Sequence, residues 1–121
     1  MPVKKLLIGL LLLASTHCFA ADSAYGVLKD DSKVGHYELA WEYDLDFQLD
    51  GEALAKVKEV PAGETVALAN KIVDVVNTSK LSSGLQPDQY PAVLVCRQNR
   101  VIVMTSAAHT KYYTDSGCAL L

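Results

Sequence analysis

Residues 36–50 read HYELAWEYDLDFQLD, and the fold class turns on this stretch. Tyr37, Leu39, Trp41, Tyr43, Leu45, Phe47 and Leu49 are apolar or aromatic. His36, Glu38, Glu42, Asp44, Asp46, Gln48 and Asp50 stand between them, and only Ala40 breaks the polar set. A period of two marks a strand with one face on a core and the other in water. On a helix the same apolar positions would be smeared around the whole cylinder. The stretch is therefore expected to be one long, half-buried strand whose aromatic face supplies much of the core.

Downstream, Asp50-Gly51 is a turn signal. A three-residue connection, Asp50-Gly51-Glu52, would pair Leu49 with Ala53, Phe47 with Ala55 and Leu45 with Val57. It would also set Asp46 against Lys56 and Asp44 against Lys58 on the wet face, so a hairpin in this register is preferred. The rival is a helix beginning at Glu52, because Ala53, Leu54, Val57 and Val60 also fit one helical face. After the break at Pro61-Ala62-Gly63-Glu64 the period changes. Val66, Ala69, Ile72, Val73 and Val76 fall three and four apart, the pattern of an amphipathic helix that ends by Ser79.

Residues 82–87 read as loop. Ala92 to Cys96 and Val101 to Met104 are apolar runs flanking Arg97-Gln98-Asn99-Arg100, a hairpin of central strands covered on both faces. Residues 110–114 are expected to add an edge strand, and Asp115-Ser116-Gly117 to turn the chain back. Upstream, residues 21–35 read as a loose N-terminus with a short strand around Tyr25 to Leu28. The sum is an α+β fold: a single helix packed on a small, mostly antiparallel sheet with one disulfide.

The first twenty residues carry a different message. Met1-Pro2-Val3-Lys4-Lys5 is basic, Leu6 to Ala14 is uncharged, and Cys18-Phe19-Ala20 ends in a small residue. These are the parts of a secretory signal, with cleavage after Ala20. A nine-residue apolar run rises about 14 Å as a helix, too little for a bilayer core that takes roughly 20 residues. Lipidation at Cys18 is disfavoured by His17 immediately before it. Residues 1–20 are thus expected to be a cleaved signal peptide. Residues 21–121 would then form a single small domain, without a membrane span, in the periplasm or outside the cell.

Cleavage removes Lys4 and Lys5 from eleven basic residues, leaving nine against fourteen acids, a net charge of −5. That balance opposes a general nucleic-acid binder, which must neutralise phosphates, and suits a basic partner. It also removes Cys18, leaving Cys96 and Cys118. In an oxidising compartment an isolated pair is most simply a disulfide, contributing roughly 3 kcal/mol to a domain too small for a large core.

No stretch forms a catalytic, cofactor or metal signature. Glu42, Asp44 and Asp46 would share the wet face of the long strand about 6 to 7 Å apart. That spacing could serve a carboxylate pair or loose Ca²⁺ binding, but no EF-hand frame follows. Otherwise it is a solvated face or a surface that steers a cationic protein. Arg97 and Arg100, at the hairpin tip, could grip a carboxylate, and Tyr112-Tyr113 could form a recognition edge. Cys96 or Ser106 with His109 shows no orienting third residue. Asn77-Thr78-Ser79 matches a glycosylation acceptor but lies at the expected helix end.

The expectation is a small non-catalytic binding protein, an inhibitor or immunity protein that docks on and blocks another envelope or secreted protein. Glu42, Asp44, Asp46, Arg97, Arg100, Tyr112 and Tyr113 would form its contact residues. The alternatives are a structural or assembly module that self-associates, with a homodimer compatible, and, behind both, a small enzyme.

Overall fold

The computed structural model describes residues 23–121. The expected signal peptide, residues 1–20, and Cys18 within it lie outside them. The described chain is α+β: four α-helices and a four-stranded sheet in the order β1-β3-β2-β4, with a Cys96–Cys118 disulfide. The expected single helix is one of four. Among the described residues no helix is long and apolar enough to cross a membrane.

Helix α1, Ala24–Val34, occupies the segment expected to be loose and partly strand. Ser23 caps it by accepting from the Gly26 amide at 3.0 Å. Its buried stripe is Ala24, Leu28 and Ser32, spaced by four but with a single large apolar side chain, too faint a stripe to read as an amphipathic helix.

Strand β1, Glu38–Trp41, is the only part of residues 36–50 in the sheet, and it runs parallel to β3. The last bond at its C-terminal end takes the Glu42 amide to the Met104 carbonyl at 2.8 Å. Residues 42–49 then continue outside the sheet with the expected alternation except at Leu45: Tyr43, Phe47 and Leu49 are buried, while Glu42, Asp44, Asp46 and Gln48 are exposed, and so is Leu45. The period of two was a sound guide to burial and a poor one to pairing.

The hairpin expected after Asp50-Gly51 is not formed. Gly51–Val57 is helix α2, beginning after an extended Asp50. Ala, Glu, Leu and Lys favour a helix over a strand, and Glu52 pairs with Lys56 one turn on at 3.5 Å. Asp44 and Asp46 therefore do not face Lys58 and Lys56 across a ladder. Val57 is buried, and Ala53 and Leu54 pack against the core.

Helix α3, Thr65–Asn77, is the amphipathic helix expected, with Leu68, Ala69, Ile72, Val75 and Val76 buried. It is rotated slightly from the sequence reading, so Val66 and Val73 are only partly buried. Its first turn is latched to α1: Asp31 accepts from the Gly63 amide at 2.8 Å and the Thr65 hydroxyl at 2.9 Å. Gly35 lies so close to Gly63 and Thr65 that a Cβ there would collide with the Thr65 hydroxyl.

Strands β2, Pro91–Cys96, and β3, Val101–Ser106, form the expected antiparallel hairpin around a turn at 97–100. Val93, Val95, Ile102 and Met104 face the core shared with α1 and α3. Leu94 and Val103 are buried on the opposite side, where α4 packs against β2 and β4.

Residues 110–114 are not an edge strand. Thr110–Asp115 is helix α4, which follows a 3-10 turn at Ala107–His109. It is closed by the Cys118 amide on the Tyr113 carbonyl at 3.0 Å and the Gly117 amide on the Thr114 carbonyl at 3.1 Å. Gly117 adopts the positive φ of 99° that this C-terminal cap requires. The edge strand is instead β4, Ala119–Leu120, paired antiparallel to β2 and tied down by the disulfide.

Candidate functional site

One end of the sheet gathers most of the polar chemistry. The segment leaving β1 carries Glu42 and Asp44 outward because Tyr43 between them is drawn inward. The Tyr43 hydroxyl donates to the Gln89 carbonyl at 2.6 Å, which fastens the segment to the 3-10 turn Pro87–Gln89 and brings Asp88 alongside. Burial raises the Tyr43 phenol above its ordinary pKa, and the Asp44 charge adds to the effect. From the other side, β3 ends at Ser106, whose Oγ lies 2.8 Å from Nδ1 of His109.

Between these elements lies a cleft of about 510 Å³. Glu42, Asp44 and Asp88 contribute three carboxylates, Leu45 and Leu85 an apolar wall, and Ser106 and His109 a hydroxyl–imidazole pair. Among the described residues the ion pairs are Lys56–Glu52 and Lys111–Asp115, so no cation neutralises the three cleft carboxylates. Leu45 is 45% exposed, unlike the other apolar residues of its segment. Its carbonyl accepts from the Trp41 indole at 3.2 Å.

Helix α4 joins this site from the side. The Tyr113 hydroxyl donates to Glu42 Oε1 at 3.3 Å, and its pKa is raised, first by burial and then by the Glu42 charge. Tyr112 stands edge-on to Tyr113, ring centroids 5.0 Å apart, and is 71% exposed.

The sequence candidates therefore divide. Glu42, Asp44, Tyr112 and Tyr113 come together. Asp46 is exposed but committed: its Oδ1 accepts from the Tyr25 amide at 3.0 Å and the Phe47 amide at 2.8 Å, holding the first turn of α1. Arg97 and Arg100 lie at the opposite end of the β1–β3 ladder, roughly 15 Å away by strand rise. Arg100 is engaged there. It donates to the carbonyls of His36 at 3.0 Å and Gly35 at 2.8 Å, and lies 4.1 Å over the Tyr37 ring. Arg97 remains exposed on the turn.

Asp88, Leu85 and Gln89 were not sequence candidates, since they sit in a loop that tertiary contacts carry to the cleft, among them the Tyr43–Gln89 bond and the Ala107 amide on the Tyr90 carbonyl at 2.8 Å. Ser106 and His109 do meet, but through Nδ1. Among the described residues no carboxylate is bonded to the imidazole as in a Ser-His-Asp triad. Nor does any group of three or more potential ligands among the described residues converge to hold a metal ion. A second concavity, of about 630 Å³, opens at the N-terminal end of α3 beside Arg100. There the Thr65 hydroxyl and the Arg100 guanidinium are already bonded to protein oxygens.

No family model matches the chain, and no similar protein was found among curated proteins or solved structures.

Proposed function

We propose that this is a small non-catalytic binding protein of the periplasm or extracellular space, an inhibitor or immunity protein that docks on a basic partner and blocks it. The observation that carries this reading is the cleft at the end of the sheet, where Glu42, Asp44 and Asp88 lie together without a neutralising cation among the described residues. Surface carboxylates grouped in this way build a local negative potential that speeds encounter with a cationic protein. Tyr112, largely exposed beside Tyr113, adds the kind of aromatic contact that anchors interfaces. Docking of this kind needs no chemistry from Ser106 and His109. Arg100, bound to the turn at Gly35 and His36, is set aside as a contact, and Arg97 would serve only a partner that wraps the far end of the sheet.

A second reading has its own observation. Strand β4 is one edge of the sheet; Leu120 on it is 55% exposed, and Leu121 just beyond it is 40% exposed. An exposed apolar edge suits self-association as an assembly module or homodimer.

Capture from native envelope extract on the oxidised protein, at low and high salt, separates the two. One stoichiometric basic protein retained at low salt and released at high salt supports docking. Recovery of the bait alone as a defined, salt-resistant oligomer supports assembly and overturns it.

A further inference from the structure

We infer that the open edge of β1 receives an extended segment of the partner protein as an added strand of the sheet, with basic residues opposite Glu38 and Glu42. This rests on the docking reading and names the element the partner would present. In the order β1-β3-β2-β4, β1 is an edge. The Glu38 amide donates to the Arg100 carbonyl at 2.9 Å and the Glu42 amide to the Met104 carbonyl at 2.8 Å. Alternate residues of a parallel ladder turn their backbone groups to the same neighbour, so Leu39 and Trp41 aim N–H and C=O away from β3. Among the described residues no bond reaches them from that side. Such a row of free donors and acceptors is a template for one more strand.

The side chains decide which strand fits. Leu39 and Trp41 are in register with Ile102 and Met104, which places them on the core face, where they are half-buried. The Tyr25 ring, edge-on to Trp41 at 5.3 Å, and the indole bond to the Leu45 carbonyl hold Trp41 there. The edge is thus already in the shape an added strand needs. Glu38 and Glu42 are exposed on the other face, either side of Ala40 and about 13 Å apart by strand rise. Neither is in an ion pair among the described residues. A second copy fits badly. Full antiparallel overlap of two β1 strands centres on Ala40 and sets Glu38 of each against Glu42 of the other, and like charges directly opposite are destabilising. The same pair of glutamates favours a strand with lysine or arginine at those places. The matching segment reads basic, apolar, small, apolar, basic, its apolar residues extending the face of Leu39 and Trp41. The opposite edge, β4, has two residues against the four of β1 and no charge among them.

The test is a titration of the ¹⁵N-labelled, oxidised protein with the capped peptide Lys-Val-Thr-Val-Lys. One control, Glu-Val-Thr-Val-Glu, keeps the strand and reverses the charge. The other, the lysine peptide N-methylated at both valines, keeps the charge and removes the N–H donors aimed at β1. The Leu39 and Trp41 amides should exchange freely in the unbound protein. With the lysine peptide they should show saturable shifts and slowed exchange, with a dissociation constant on the order of millimolar, and either control should bind at least about fivefold more weakly. Glu38→Lys, at an exposed position, should weaken the lysine peptide by about fivefold and strengthen the glutamate peptide; an unchanged melting temperature would verify that the variant is folded. Absence of saturable shifts, equal binding of either control, unchanged binding by Glu38→Lys, or amides already protected in the unbound protein would each overturn the added strand. Protection that grows with protein concentration alone would also overturn it, making the occupant a second copy. A captured partner that leaves both amides unprotected would overturn it while leaving docking intact. Peptide binding by a protein that captures no partner would overturn docking and, with it, the partner as the source of the strand.

Discussion

Two aspartates two positions apart show how little residue type says about role. Asp44 and Asp46 share the outward face of the same extended segment, and both are exposed. Asp46 accepts two backbone amides, one of them in the first turn of α1, where a carboxylate satisfies a free N–H and favourably meets the helix dipole. Asp44 makes no such bond among the described residues and stands at the cleft. Neutralising the two together would therefore mix a structural effect with a surface one. Asp46→Ala should lower stability by about 1–2 kcal/mol, whereas Asp44→Asn should stay within about 0.5 kcal/mol of the native chain. Urea unfolding of the two single variants measures the difference. Equal, small effects would mean that Asp46 does not hold α1.

At the scale of elements, what could be read depended on how many large side chains each face buries. Helix α3 was legible because Val66, Ala69, Ile72, Val73 and Val76 fall three and four apart, and Ala69, Ile72 and Val76 among them are buried. The β2–β3 hairpin was legible because two apolar runs flank Arg97-Gln98-Asn99-Arg100. Helix α1 hid behind Ala24 and Ser32, and α4 behind Thr110, Tyr112, Tyr113 and Thr114, residues that favour strands when read alone. Residues 42–49 kept their alternation, Leu45 apart, without a ladder, because burial on one face does not require a hydrogen-bonded neighbour. The same reasoning recovered half of the cleft. Glu42, Asp44 and Tyr113 were named from their patterns, while Asp88 and Leu85 enter through tertiary contacts such as the Tyr43–Gln89 bond and the Ala107–Tyr90 bond. The edge of the sheet offers a test at this scale. Strand β4 has two residues, and the disulfide beside it closes a separation of 22 positions. Cys118→Ser should cost about 2–4 kcal/mol and abolish hydrogen-exchange protection of the Leu121 amide, which is bonded to the Val93 carbonyl. Retained protection at that amide would show that β4 holds without its covalent tie.

Over the whole molecule, the two ends of the sheet differ in character. The start of β3 spends its arginine on the Gly35–His36 turn. The far end leaves three carboxylates facing a cleft, with an exposed tyrosine nearby. Removing Lys4 and Lys5 with a signal peptide would leave the chain five charges negative, so the field at this end would reinforce the overall charge. Electrostatic attraction of this kind acts on the encounter rate and is screened over about 8 Å at physiological salt. The most direct measurement is the association rate constant between the oxidised protein and the partner it captures, at low and at physiological ionic strength, for the native chain and for Asp44→Asn, Asp88→Asn. Docking through the cleft predicts a native rate that falls steeply with salt and a variant rate about tenfold lower at low salt, with a flatter salt dependence. Identical rates for the two proteins at low ionic strength would contradict it.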